Sequence, residues 1–349
     1  MSSITSLFGI QVPIVQAPMA GVQLGALAAA ISEAGGLGSL PCALLTPEAM
    51  ATEIELIRKR TKNPYNVNFF CHKQPEPDIA TEAAWQQRLG PFYKEFGIDP
   101  ATIAAGPGRA PFDDAFADSL EPFKPPVVSF HFGLPSEALV KRVKGWGSKV
   151  LSSATTVEEA RWLEARGVDA IIAQGLEAGG HRGMFLTDDV TTQVGTFALL
   201  PQVVAAVRVP VIATGGISTP EGVAAAFALG AAGVQCGTAF LLCPESTASA
   251  VHRAALKGEG AKHTALTNVM TGRPARIIVN RVARELGLLD PGAPAFPLAT
   301  ASMAPLRAKA EAAGSSDFSP IWSGQNPTGC REWPASEVLR TLARGAPGR

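Results

Sequence analysis

Two glycine-containing turns carry the strongest chemical signal in this sequence. Gly215 and Gly216 follow the apolar residues 211–213, and Gly237 and Thr238 follow the next apolar run. Glycines in such turns let backbone N–H groups approach a ligand closely, and N–H donors exposed in turns or at helix starts favour phosphate. Either pair alone is also compatible with an ordinary tight turn. Two pairs separated by one strand and one helix predict a single phosphate cradle, as in barrels whose last two loops bind phosphate.

Polar side chains follow the other apolar runs. They are amides and a histidine: Gln16 before Ala17-Pro18-Met19, Asn68, His131, Gln174 with residues 177–181 beyond it, and Gln235 before Cys236. Such a set suits a cofactor held by hydrogen bonds to a flat polar edge. No carboxylates and histidines cluster at metal-ligand spacing, so no metal is expected. Paired-carboxylate hydrolysis and Schiff-base chemistry are not favoured, since no two acids and no lysine occupy these positions.

The elements that must position these residues repeat at regular spacing. Apolar runs that suit buried parallel strands begin near residues 14, 37, 65, 127, 149, 170, 210 and 234, and most are followed by a helical pattern. Thr219-Pro220-Glu221, for example, has the N-cap, proline and acidic residue of a helix start. Eight such units predict an α/β fold, a closed (β/α)₈ TIM barrel. An open doubly wound sheet is the alternative.

Two segments interrupt this rhythm. Residues 71–126 are rich in proline and predict a helical insert after the third strand, and residues 264–349 predict a C-terminal helical and loop extension. The expected division is a barrel over 1–263, insert included, and an extension over 264–349 that packs on the barrel and shapes substrate access. Within the extension, residues 276–279 have strand character and 298–313 read as a helix kinked or restarted at Pro305. Fraying is expected from Ala343 onward.

Composition narrows the class of protein further. The chain has 349 residues, 46% of them apolar, and equal numbers of basic and acidic residues, so a nucleic-acid partner is not expected. Five scattered cysteines fit neither a disulfide framework nor a structural zinc site, and suit a reducing compartment. The most apolar segment, 223–234, is too short to cross a bilayer, and no export signal is evident. A cytoplasmic location without membrane contact is expected.

Several motifs together resemble the nitronate monooxygenases, formerly grouped as 2-nitropropane dioxygenases, of the bacterial and fungal class. The motifs are QAPMAG at 16–21, NFF at 68–70, SFHFGLP at 129–135, EAGGH at 177–181, ATGGI at 213–217, QCGTAFL at 235–241 and the tail WSGQ at 322–325. Single pieces recur in other flavin barrels. Their order and spacing make the resemblance specific, and it covers most of the chain.

The resemblance implies a TIM barrel that binds FMN and oxidises alkyl nitronates, and in some family members nitroalkanes, with dioxygen to a carbonyl compound and nitrite through a flavin semiquinone. By motif, the phosphate would be held by Gly215, Gly216, Gly237 and Thr238. Further contacts to the cofactor would come from Pro18, Met19, Ala20, Asn68, Gln174, Gly179, Gln235 and Cys236. Cys236 is expected to contribute its backbone only, because its side chain lies on the opposite face of the strand from Gln235.

His131 matches the family's active-site histidine and is the predicted catalytic residue. Beside a flavin, its imidazole could be neutral and basic, or cationic and suited to a nitronate oxyanion. A base is needed only for nitroalkanes, because a nitronate has already lost its α-proton. A strand-end histidine bonded to a neighbouring carbonyl is the alternative interpretation. His181 is a weaker candidate, His72 with Cys71 is expected to pack, and His252 and His263 are expected on a solvated face.

Two other functions stay open at this stage. An FMN-dependent NAD(P)H:quinone or enoyl-thioester reductase shares the phosphate motifs and an active-site histidine, although the HFGLP and WSGQ motifs favour nitronate oxidation. A non-catalytic FMN-binding barrel is the second alternative. The expected partners are a small nitronate or nitroalkane and dioxygen, and the chain is expected to be a monomer or homodimer.

Overall fold

Eight parallel strands form a closed barrel in the computed structural model, which describes residues 4–103 and 108–348. The barrel strands are β1 (Ile14–Gln16), β2 (Gly38–Pro41), β3 (Tyr65–Phe70), β4 (Val127–His131), β5 (Lys149–Ala154), β6 (Ala170–Gln174), β8 (Val211–Thr214) and β9 (Gly233–Cys236). β1 pairs with β9, and the circle closes through a parallel bridge between Val15 and Leu37. The predicted (β/α)₈ barrel is therefore confirmed, with all eight expected strands in place.

Helices surround the barrel because the strands are buried on both faces. The helices are α1 (Ile4–Phe8), α2 (Gly25–Glu33), α3 (Pro47–Arg60), α4 (Ile79–Glu95), α5 (Asp114–Leu120), α6 (Glu137–Gly145), α7 (Val157–Ala165), α8 (Thr196–Ala206), α9 (Pro220–Ala228), α10 (Ala250–Lys257), α11 (Arg281–Leu286), α12 (Ala299–Ala312) and α13 (Ala335–Ala343). Side-chain caps fix several helix starts, as where Thr219 Oγ1 accepts from Gly222 N at 3.3 Å. These caps set where each strand-to-helix loop ends, and thereby the shape of the barrel mouth.

The segment after β3 forms a helical layer with the C-terminal extension. Trp85, Phe92 and Tyr93 of α4 are buried in a cluster with Met303 and Phe318 of the extension. Residues 104–107 of the predicted insert lie outside the described residues. The insert and the extension therefore pack against each other.

A second, three-stranded antiparallel sheet lies at that mouth. It consists of β7 (Gly180–His181), β10 (Thr264–Thr267) and β11 (Ala275–Ile278), in the order β10-β11-β7. The expected strand character near residue 276 is observed, but the segment after β6, expected to be loop, contributes β7. Pairing of Gly180 with Arg276 ties the loop after β6 to the extension.

Two expectations for the extension can be compared with the structure. Pro305 lies inside one continuous helix, α12, so the expected restart is wrong and the expected kink stays a prediction. Fraying from Ala343 onward is wrong for residues 343–346, because Ala343 and Ala346 are each 4% exposed within the main core cluster. No helix among the described residues has the length and apolar character needed to cross a membrane.

Candidate active site

A cavity opens at the carboxyl ends of the barrel strands. Its empty space, open mouth included, is about 1290 Å³. The lining includes twelve of the thirteen residues proposed from the sequence: Pro18, Met19, Ala20, Asn68, His131, Gln174, Gly179, Gly215, Gly216, Gln235, Gly237 and Thr238. Cys236 is not part of the lining. Its side chain is buried in the main core, and its carbonyl oxygen accepts from Ala17 N at 2.8 Å.

The two glycine turns form one rim of this cavity. Gly215 and Gly216 have φ values of 120° and 69°, which residues other than glycine rarely adopt. Among the described residues, no hydrogen bond engages the backbone N–H groups of Gly216 or Gly237. Both glycines are half-buried in the cavity lining, so these two donors are available to an anion. The rim has the form expected of a phosphate cradle.

The tail motif reinforces this rim. Gly324 N donates to Thr238 Oγ1 at 2.9 Å, and Asn326 Nδ2 donates to the Gly216 carbonyl at 3.0 Å. Thr238 keeps its hydroxyl hydrogen available for a ligand, because it acts as the acceptor in the contact with Gly324. Sequence reasoning used the tail only as a family marker and did not predict its contact with the cradle.

Amides occupy the floor of the cavity. Gln174 is engaged on both sides, donating from Nε2 to the His181 carbonyl at 3.0 Å and accepting at Oε1 from Gly183 N at 2.7 Å. Gln235 Oε1 is different, since it is buried and has no hydrogen-bond partner within residues 4–103 and 108–348. An unpaired buried amide oxygen in a lining residue marks a place where a ligand N–H would complete the hydrogen bonding.

His131 is held by protein on both ring nitrogens. Nδ1 lies 2.5 Å from Ser153 Oγ and Nε2 lies 3.3 Å from the His181 carbonyl oxygen. Because a carbonyl only accepts, Nε2 carries the proton and Nδ1 accepts from the serine hydroxyl. Burial, opposed by the contact with the His181 carbonyl and assisted by the charges of Arg273 and Arg182, lowers the pKa of His131 to about 3. Of the two expected states, the structure supports the neutral imidazole.

His181 lies in the same cavity, and its Nδ1 has no hydrogen-bond partner among the described residues. Its Nε2 is 2.9 Å from Thr271 Oγ1, and that hydroxyl lies 3.5 Å from the Arg273 carbonyl oxygen. When the hydroxyl donates to that carbonyl, Nε2 carries the imidazole proton and Nδ1 presents a lone pair. Burial and then the charge of Arg109 hold the pKa of His181 well below its usual value. Sequence reasoning gave this histidine less weight than His131.

Aromatic side chains enclose the histidine end of the cavity. The His181 ring centroid lies 5.2 Å from that of Phe296 and 5.2 Å from that of Trp322, both in the extension. Phe132, next to His131, has φ 70°, a left-handed conformation that is unusual for a bulky residue. Such strain is commonly found at functional sites. The extension thus supplies part of the wall that excludes water from the histidines.

Two fully buried charged residues fix the loop after β6. Arg182 donates to the carbonyls of Gln174 and Gly175 at 2.8 and 2.7 Å. The Glu159 carboxylate accepts from the backbone N–H groups of Phe185 and Leu186 at 2.6 and 3.2 Å. Because both charged groups are satisfied by the chain itself, they position the loop instead of meeting a ligand. Neither role has a signal in the local sequence pattern.

Of the other three histidines, two have the expected environment and one does not. His252 is 3% exposed and its Nε2 donates to the Trp322 carbonyl at 3.0 Å, so the solvated face predicted for it is wrong. His263 is exposed, as expected. His72 packs against Phe296 with ring centroids 4.8 Å apart, in agreement with the expected packing role. No group of metal-ligating side chains able to hold an ion occurs in the described ranges 4–103 and 108–348.

Comparison with known proteins agrees with this geometry. The family model described as nitronate monooxygenase matches residues 1–345. The chain belongs to the nitronate monooxygenase family. It is 44% identical over 97% of its length to a nitronate monooxygenase of Pseudomonas aeruginosa, with 97% of that relative covered. A nitronate monooxygenase of Paraburkholderia phytofirmans is 42% identical, with 97% of this chain and 93% of the relative covered.

A solved structure of a nitroalkane oxidase from Streptomyces ansochromogenes superposes with a TM-score of 0.89, at 41% identity and with 98% and 97% of the two chains covered. This member of the nitronate monooxygenase family is thus an oxidoreductase, and the family is flavin-dependent. The cavity fits such a cofactor on two counts. The unengaged N–H groups of Gly216 and Gly237 suit a phosphate, and the orphaned Gln235 Oε1 suits a ring N–H.

Proposed function

We propose that this enzyme binds FMN and oxidises alkyl nitronates with dioxygen to a carbonyl compound and nitrite. The observation that carries the proposal is the presence, in one cavity, of an anion-binding glycine rim and two neutral histidines enclosed by aromatic rings. The rim suits the FMN phosphate, which would be held by Gly215, Gly216, Gly237 and Thr238. When bound, FMN supplies the ring that accepts electrons from the substrate.

The two histidines have distinct roles in this proposal. Neutral nitroalkanes require removal of an α-proton, and the lone pair on His181 Nδ1 is free to receive it. His131 donates to the His181 carbonyl from Nε2, so its ring holds the backbone of the second histidine in place. The prediction from sequence that His131 is the base stays a prediction, but its bonded nitrogens favour His181 for that role. Nitronates need neither base, because they are already deprotonated.

The remaining lining residues control access and solvation. Phe70, Phe132, Phe296 and Trp322 surround the histidines and limit water near the reacting carbon. A water-poor site strengthens the electrostatic interactions within it. Gln174 fixes the loop that carries His181, so that the Nδ1 lone pair has a defined direction.

The test uses the enzyme as purified. We expect bound FMN, identified by its release on denaturation, and oxygen uptake with nitrite formation when ethyl nitronate or propionate 3-nitronate is added in air. Under anaerobic conditions, a nitronate should bleach the flavin, whereas reduced nicotinamide should not. Rapid bleaching by reduced nicotinamide without nitrite production from nitronates would replace the proposal with a nicotinamide-dependent reductase. A colourless protein that binds no FMN would refute it altogether.

A further inference from the structure

Arg109 is the one permanently charged side chain among the described residues that line the cavity. It comes from the segment after β3, and its Nη1 donates to Thr300 Oγ1 of α12 at 3.0 Å. Its guanidinium carbon lies 5.4 Å from the centroid of the Phe296 ring. The insert and the extension therefore hold this cation jointly at the cavity wall.

The charge of Arg109 is not neutralised by the chain. Within the described ranges it forms no ion pair, and no carboxylate is part of the cavity lining. Burial, with a contribution from the charge of Arg307, lowers the pKa of Arg109 to about 10, so it stays cationic at neutral pH. A partly buried guanidinium facing a cavity without an acid partner is costly unless a ligand supplies the anion.

Arg109 shares an aromatic neighbour with His181. The Phe296 ring centroid lies 5.4 Å from the Arg109 guanidinium carbon and 5.2 Å from the His181 ring centroid. The charge of Arg109 is also the second-largest influence on the pKa of His181. The cation thus belongs to the histidine end of the cavity, where the substrate is expected.

We propose that Arg109 is a specificity-determining residue that binds an oxyanion of the substrate. This inference rests on the proposed function. Two oxyanions have the required chemistry, the nitronate group itself and a carboxylate elsewhere on the same molecule. Arginine pairs with either in a bidentate geometry that lysine cannot reproduce.

The experiment compares four substrates that differ only in these groups: nitroethane, ethyl nitronate, 3-nitropropionate and propionate 3-nitronate. Variants Arg109→Met and Arg109→Lys are assayed for kcat/KM as holoenzymes. Lys94→Gln is the matched control, because it removes an exposed positive charge from α4 of the same segment, away from the cavity. Losing a charge-assisted pair should cost Arg109→Met about 10- to 100-fold on anionic substrates. Arg109→Lys should recover part of that loss, and Lys94→Gln should match the wild type.

The pattern of losses identifies the anion. A loss on 3-nitropropionate and propionate 3-nitronate that spares nitroethane and ethyl nitronate assigns Arg109 to a distal carboxylate. A loss on both nitronates that spares nitroethane assigns it to the nitronate oxyanion. Equal losses on all four substrates, or no loss on any of them, would refute the proposed oxyanion-binding role of Arg109. Weakened competitive inhibition by propionate in Arg109→Met would support the carboxylate role independently of turnover. If the wild type oxidises no nitronate, it is the proposed function that fails.

Discussion

The distinction between the two cavity histidines leads to a sharp prediction. In His181→Asn, the free lone pair on Nδ1 is lost and the replacement amide cannot take up a proton. General-base catalysis contributes about 10²- to 10⁴-fold, so kcat/KM for nitroethane should fall by that factor. Ethyl nitronate needs no base, and its kcat/KM should fall by less than about tenfold.

His131→Asn is the matched variant. Its contact with the His181 carbonyl is 3.3 Å long, and asparagine can still donate to that oxygen. A hydrogen bond of this kind is worth about 0.5–1.5 kcal/mol, or roughly two- to twelvefold in rate. We therefore expect a modest loss of similar size on nitroethane and on ethyl nitronate.

The assay measures oxygen uptake and nitrite release with both substrates, on enzyme whose FMN content has been determined for each variant. His263→Asn controls for loss of a histidine, because His263 is exposed and lies outside the cavity lining. Since the pKa of His181 is held below its usual value, its base form should be fully populated from about pH 6.5 upward. Protonation of His181 should therefore not lower the enzyme-catalysed rate with nitroethane as pH falls from 8 to 6.5.

The opposite result would refute this assignment. A selective loss on nitroethane in His131→Asn, with His181→Asn affecting both substrates equally, would make His131 the base, as the sequence predicts. Equal losses on both substrates in both variants would remove the base role from either histidine. Retained FMN content is the condition for each comparison, because loss of cofactor lowers turnover of every substrate.

Three further predictions follow from packing and protonation. Burial lowers the pKa of His252 to about 4. The unfolded state therefore takes up a proton at higher pH than the folded state, and stability falls as pH drops below about 6.5. Between pH 7.5 and 5.5 the free energy of unfolding, measured in urea, should fall by about 1.4 kcal/mol less in His252→Gln than in the wild type. Gly183→Ala would place a Cβ 2.8 Å from His131 Cε1 and should lower nitronate turnover. Gly145→Ala, with open space around it in the last turn of α6, should leave turnover unchanged and raise stability by about 0.4–1 kcal/mol. Equal activity of both variants would contradict the predicted close approach. Gly216→Ala forces an alanine into a left-handed conformation at the cradle and should cost about 1–2 kcal/mol of stability. It should also weaken FMN binding, measured by fluorescence titration. An unchanged affinity for FMN would disprove the role of this glycine in the cradle.

The barrel was accessible from the sequence because its determinants are local. A parallel strand buried on both faces appears as a short apolar run, and a helix start appears as a cap such as Thr219 followed by proline. Strand ends mark the barrel mouth, so Asn68, His131 and Gln235 could be assigned to one cavity without coordinates. The order of these motifs also indicated the family.

Tertiary structure decided what local patterns do not encode. β7 exists because Gly180 and His181 pair with a strand nearly a hundred residues later, and such register depends on long-range packing. That pairing brings His181 into the cavity, where its Nδ1 has no partner in the described part of the chain, whereas His131 has both nitrogens bonded. Arg109 is held at the histidine end by Thr300 of α12 and by the Phe296 ring, both far away in the sequence. The sequence thus determined the scaffold and the phosphate rim, and long-range contacts determined the chemistry at the substrate end.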